Sequence, residues 1–170
     1  MLIILDMDFT LVDTTEPERF RKRRDFQGAS AVLENTTVYP EIQDMLDSLR
    51  DVGHELVVLT NSPGRDARRL VDIHNLGIEE VYYYKELGAP AKPNPSGHRT
   101  LIQRKGGDPL QTVSVGDKAT DRQAAKGAGA HFIAAMWGTT DRTVAEGADF
   151  VAEQPIEVLQ YIRQLALNNA

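Results

Sequence analysis

The chain predicts an α/β fold: a Rossmann-like, three-layer α/β/α domain with a central parallel sheet and a small insert after the first strand. Three observations carry this expectation. Short apolar runs alternate with segments of helical period along the whole chain, the pattern of repeated strand–helix units. The runs are apolar throughout rather than at every second position, as in a sheet covered on both faces. Polar residues gather directly after several of these runs, where open parallel sheets hold their ligands.

The elements follow in order. Strands are predicted at 2–5, 55–59, 80–84, 112–115 and 131–135, with a weaker one at 149–152. Helices are predicted between them. Segment 41–51 puts Ile42, Met45, Leu46 and Leu49 on one face. Segment 66–75 does the same with Ala67, Leu70, Val71 and His74. Segments 96–105, 118–128 and 156–167 have the same period. Ser62–Pro63 and Asn94–Pro95 each offer a capping side chain followed by proline at a helix start. Gly53, Gly77 and Gly106 mark helix ends. Residues 14–38 break the rhythm, being longer than an ordinary strand-to-helix loop. They predict either a small cap-like lid or a solvated surface helix with a loop.

Bulk properties narrow the class. At 170 residues the chain suits a single domain, 1–170, and can bury a core without staples. It has no cysteine, which excludes disulfides and thiolate metal sites. A formal net charge of −6 argues against nucleic-acid affinity through net charge. The opening LIIL is too short for a signal segment and is interrupted by Asp6; no apolar run approaches a membrane span. The expectation is a soluble cytoplasmic protein, monomer or homodimer, without a membrane partner.

The candidate site lies at the strand ends. Asp6, Asp8 and Thr10 follow the first strand; Thr60, Asn61 and Ser62 follow the second; Gly116, Asp117 and then Asp121 follow the fourth. Lys92, in AKPNP, precedes a helix. All should meet at one rim of the sheet. Four carboxylates in one pocket cannot all stay ionised without compensation, and one ammonium is too little. Oxygen ligands without cysteine point to a hard divalent ion, Mg²⁺ above all.

These residues resemble a known family. DMDFT, Thr60 in VVLTNS, Lys92 in AKPNP and GDKATD at 116–121 are similar, in order and spacing, to the four motifs of haloacid dehalogenase-like hydrolases. The likeness runs from Leu2 to about Gly138, and GADFVAEQPIEVL resembles the C-terminal end of phosphoglycolate-phosphatase-like members. The resemblance implies a Mg²⁺-dependent phosphatase acting on phosphomonoesters of small phosphorylated metabolites. Asp6 would be the nucleophile and form an aspartyl-phosphate. Asp8 would protonate the leaving oxygen and later deprotonate water. The Asp6 carboxylate, the Asp8 carbonyl and Asp117 would hold the metal, with Asp121 a further ligand or a group behind the ligands. Thr60 and the amide of Asn61 would bind phosphoryl oxygens, and Lys92 would neutralise charge on nucleophile and substrate. Asp8 places the chain with phosphatases and phosphomutases, since dehalogenases lack it.

Two features depart from the family pattern. Residue 9 is phenylalanine where many members have glycine, so an unusual backbone angle there would cost more. The insert at 14–38 is shorter than many members' caps, which implies an open site. The basic run RFRKRRD at 19–25 could draw a polyanionic substrate, even a nucleic-acid end, or could simply be a solvated face. Trp137 could line the pocket or only pack, and His54, His74, His98 and His131 show no ligand spacing. Three rivals remain. A phosphomutase would use the same residues but exclude water. A non-catalytic phosphate- or metal-binding module would have no need of both Asp6 and Asp8. A response-regulator receiver has similar residues in another order.

Overall fold

The computed structural model describes residues 1–168; the last two positions of the 1–170 expectation lie outside the described residues. The predicted strands form one parallel sheet. They are β1 (Leu2–Leu5), β4 (Glu55–Thr60), β5 (Glu80–Tyr83), β6 (Thr112–Gly116), β7 (His131–Ala135) and β8 (Phe150–Ala152), in the spatial order β5-β4-β1-β6-β7-β8. β1 is therefore central. Leu5 pairs with Val58 of β4 on one side and Val115 of β6 on the other. The chain first winds outward through β4 and β5, then returns to the far side of β1 and winds the other way. That reversal opens a crevice beyond the carboxyl ends of β1, β4 and β6.

Alternation along β1 divides the interior. Ile3 and Leu5 face one layer, built from α3 (Ile42–Asp51), α4 (Gly64–Ile73) and α7 (Val158–Asn168); Leu2 and Ile4 face the other, with Leu101 and Ile102 of α5 (Ser96–Arg104). Phe132 and Ala134 of β7 cover Ala125 of α6 (Ala119–Gly127) on that second side. This is why the strands lack polar alternation: each face has a helix layer to bury against.

The strands at 2–5 and 131–135 match expectation, and the bounds of the other expected elements differ by at most two residues. α4 starts two residues before 66, and α7 starts after a 3₁₀ turn at Pro155–Glu157 that takes up the predicted beginning. Residues 14–38 hold α1 (Thr15–Arg21), α2 (Phe26–Ala31) and a 3₁₀ turn at Leu33–Asn35. The segment is closed at its base by a two-residue antiparallel pair, β2 (Val12–Asp13) with β3 (Thr37–Val38), too short for any periodicity to announce. Leu33 is fully buried in the main core.

A polar clasp ties this segment to α4. The buried Ser30 hydroxyl donates to Asp66 at 2.9 Å and accepts from Arg65 at 3.0 Å. Arg69 donates to the Ser30 carbonyl at 3.0 Å. The Thr36 hydroxyl donates to Leu33 O at 2.6 Å, so its 2.7 Å contact with His74 Nε2 has the ring as donor.

Candidate active site

The turn after β1 aims two carboxylates into the crevice. The Asp6 N–H extends the ladder by one bond to Val115 O at 3.0 Å. The chain then folds back sharply: the Met7 carbonyl accepts from Leu11 at 3.0 Å and Val12 at 3.2 Å, and the Phe9 N–H reaches Val12 O at 2.8 Å. The turn requires Phe9 at φ 62°, a left-handed conformation that costs a non-glycine residue about 1–2 kcal/mol. Gly138 presses on the same turn, and a Cβ there would lie 1.5 Å from the Phe9 carbonyl oxygen. Trp137 locks the arrangement, donating Nε1–H to Thr10 O at 2.9 Å. Its ring both packs on the core and walls a groove of about 520 Å³ with Phe9, Lys22 and Lys118.

The predicted site residues converge. Asp6, Asp8, Thr60, Asn61, Lys92 and Asp121 all line one cavity of about 60 Å³. Oxygens of Asp6, Asp117 and Asp121 lie within 4.8 Å of one another, and all three residues are buried. Lys92 Nζ binds Asp6 at 2.7 Å, Asp121 at 2.6 Å and Leu59 O at 3.0 Å, so all three ammonium hydrogens have acceptors. The Asn61 side chain clamps the Lys92 backbone both ways, donating to its carbonyl at 3.1 Å and accepting from its N–H at 3.0 Å. Thr60 closes β4, its hydroxyl accepting from the Ser62 N–H at 2.9 Å. Asp121 also accepts from the Lys118 N–H at 3.0 Å. It reaches these partners because residue 116 is glycine; a Cβ there would meet the Asp121 Cβ at 2.6 Å.

The electrostatics separate the carboxylates. Burial pushes Asp6 up to about 6 against the pull of Lys92, with Asp121 and Asp8 adding repulsion. Asp117 rises to about 8 through burial and the Asp6 charge, and the Thr10 hydroxyl donates to it at 3.3 Å. Burial would raise Asp8 too, but the Arg21 guanidinium and a hydrogen bond from Ser62 outweigh it and hold Asp8 below its ordinary value. Lys92 is the reverse case. Burial disfavours its charge, yet the Asp121 and Asp6 carboxylates raise it above the usual lysine range.

Two residues at the site, Arg21 and Lys118, were not foreseen, and a third, Ser62, was expected at the rim but also read as a helix-start cap. Arg21 places Nη1 2.5 Å from Asp8 Oδ1, with both side chains buried. Ser62 donates its hydroxyl to the other Asp8 oxygen and so is no helix cap; Pro63 holds the cap position of α4 without a side-chain bond. Lys118 stands on the rim, its ammonium 5.3 Å from the centre of the Phe9 ring. Asp117, Asp6 and Asp8 raise it against the cost of partial burial. Asn94 accepts from the Ser96 N–H at 2.9 Å, but it lies one residue before the cap position of α5, which Pro95 holds without a side-chain bond.

Comparison with known proteins places this geometry. The family model for haloacid dehalogenase-like hydrolases matches residues 6–129. A phosphoglycolate phosphatase from Pseudomonas putida is 32% identical over 136 residues, 78% of this chain and 47% of the relative. One from Aquifex aeolicus is 29% identical over 133 residues, 75% of this chain and 62% of the relative. The chain thus spans about half the length of such relatives. Among solved structures, a conserved haloacid dehalogenase-like protein of unknown function from Agrobacterium tumefaciens superposes with a TM-score of 0.81 at 18% identity, covering 97% of this chain and 98% of that one. A haloacid dehalogenase-like family hydrolase from Streptococcus pneumoniae gives 0.78 at 20% identity, covering 94% and 97%. At such identities these two show the fold.

Proposed function

The chain belongs to the haloacid dehalogenase-like hydrolases, and from that premise we propose that it is a Mg²⁺-dependent phosphatase of small phosphomonoesters, working through an aspartyl-phosphate on Asp6. The observation that carries this reading is the pairing of Asp6 with the Lys92 ammonium at 2.7 Å inside the Asp6–Asp117–Asp121 cluster. A lone buried carboxylate would be a poor nucleophile toward a phosphate dianion. Here a fixed ammonium screens it, and a cation-seeking oxygen cluster adjoins it.

The donor set fits a hard divalent ion: buried oxygens, no sulfur or imidazole, and two carboxyls, Asp6 and Asp117, whose ionisation is disfavoured by burial and by the neighbouring carboxylates. Asp6 and Asp117 would hold the ion with the Asp8 carbonyl, and Asp121, already engaged by Lys92 and the Lys118 N–H, would steady the set. The ion would supply charge neutralisation on the phosphoryl oxygens.

The chain's own groups divide the remaining work. An Asp6 oxygen attacks phosphorus in line, forming the acyl–phosphate bond as the ester P–O bond breaks. Thr60 and the Asn61 N–H receive phosphoryl oxygens. The leaving oxygen takes its proton from Asp8, and Asp8 recovers one from the water that then cleaves the aspartyl-phosphate. Asp8 is ionised in the resting arrangement, ready for the second half. The approach of a phosphoryl dianion beside it favours the proton needed for the first half. Asp6→Asn tests the reading with an aryl phosphate and Mg²⁺: turnover should fall to background, and retained turnover would refute the nucleophile assignment.

The substrate is proposed to be a small phosphorylated metabolite. Among the described residues no helix is long and apolar enough to cross a membrane.

A further inference from the structure

Phe9 is an aromatic residue at a position that strains it. Its φ of 62° is one that glycine adopts freely and a bulky side chain resists. The core does not repay this cost. Phe9 is half-buried, and its ring belongs to none of the apolar core clusters among the described residues. Backbone strain without a packing return points to work at a site. The ring instead helps to wall the groove of about 520 Å³ beside the catalytic cavity, opposite Trp137. Trp137 is held by the bond from its Nε1–H to Thr10 O, so the second aromatic wall is fixed as well. Lys22 and Lys118 complete the polar lining. No carboxylate contacts either ammonium among the described residues.

The place of the groove says what would fill it. The catalytic cavity is about 60 Å³, room for a phosphoryl group and little else. The groove is several times larger, within the range of small-molecule sites. Lys118 lines both spaces, so a substrate held in the cavity can continue past it into the groove. The part that arrives there should be planar, to lie on aromatic walls. It should be rich in acceptors, to take donors from two ammonium groups. It should also be joined to the phosphoryl group by a spacer, since the groove begins beyond Lys118. A purine or pyrimidine on a sugar phosphate meets all three conditions. We infer that the groove receives the base of a nucleotide whose terminal phosphate occupies the catalytic cavity, with Phe9 as the specificity-determining residue on which the base stacks. This inference rests on the phosphatase reading and names the substrate class of that same site.

The test compares two esters that differ only in the base, adenosine 5′-phosphate and ribose 5-phosphate, in the wild type, Phe9→Gly, Phe9→Leu and Phe9→Tyr. Any disturbance of the turn at Asp8 acts on both esters alike, so the ratio of their kcat/KM values isolates the stack. The wild type should prefer the nucleotide by about 10- to 100-fold, the worth of one base on an aromatic side chain. Glycine, which relieves the strain, and leucine, which keeps the bulk without the ring, should each lower the ratio about tenfold, while tyrosine should preserve it. A wild type indifferent to the base, or glycine and leucine variants that slow both esters alike, would overturn the inference and leave Phe9 a structural role. Binding is read separately, because Trp137 is the chain's single tryptophan. In the Asp6→Asn protein with Mg²⁺, adenosine 5′-phosphate should quench its fluorescence saturably and ribose 5-phosphate should not. Such quenching supports the groove even if the wild type hydrolyses neither ester, in which case only the phosphatase reading fails. Equal responses to the two esters, or none to the nucleotide, would sink the inference.

Discussion

At the scale of single residues, the site keeps opposite charges in fixed contact and leaves two carboxyls short of a counter-charge. Lys92 is the pivot. Its ammonium is shared between Asp6 and Asp121 with no solvent to replace it. Removing one member of a buried ion pair typically costs about 3–5 kcal/mol, and Lys92→Met is expected to lose that much in urea unfolding along with all turnover. A variant as stable as wild type would show that the pair contributes nothing. The convergence of Asp6, Asp8, Thr60, Lys92 and Asp117 on one rim was legible in the sequence because polar residues set directly after apolar parallel strands, or just before the next helix, meet at one end of the sheet. Arg21 was not. It is one of five cations between 19 and 24, and in a seven-residue helix no apolar stripe reveals which of them turns inward. Ser62 was placed at the rim, but its partner was not legible: Ser-Pro is equally a helix-start signal, and only the fold shows Asp8 within reach of its hydroxyl.

At the scale of elements, the parallel strands were readable nearly to the residue because both faces of each are buried, whereas the insert was not. β2 and β3 contain two residues each, and their pairing depends on the turn at Phe9 rather than on their own composition. What secures the insert is polar: one serine hydroxyl holds Asp66 and receives Arg65. Ser30→Ala would leave the buried Asp66 carboxylate without that donor. A loss of about 1–3 kcal/mol is expected, with limited proteolysis cutting the segment 14–38 before the rest. Unchanged stability and an uncut insert would mean that Leu33 and the apolar contacts suffice.

At the scale of the whole molecule, the fold concentrates negative charge at one end of the sheet, and its stability should register this. Folded Asp6 and Asp117 keep their protons to about pH 6 and about pH 8, while the unfolded chain releases them near pH 4. Between about pH 4 and 8 the folded state therefore binds more protons, so the metal-free protein should lose stability as pH rises through that window, the contribution being complete only below it. A cation that needs both carboxylates ionised binds better as they titrate, and binding stabilises by mass action. The rise in Tm produced by Mg²⁺ should accordingly be larger at pH 8 than at pH 5. An equal rise at both would argue against Asp6 and Asp117 as its ligands.

The most direct measurement is to find where phosphorus goes. The protein, mixed with a phosphomonoester and Mg²⁺ and quenched in acid within one turnover, should yield a single peptide heavier by one phosphoryl group, the modification lying on Asp6 and absent from Asp6→Asn. Recovery of that group on another side chain, or steady hydrolysis with no protein-bound phosphoryl group at any time, would contradict the account.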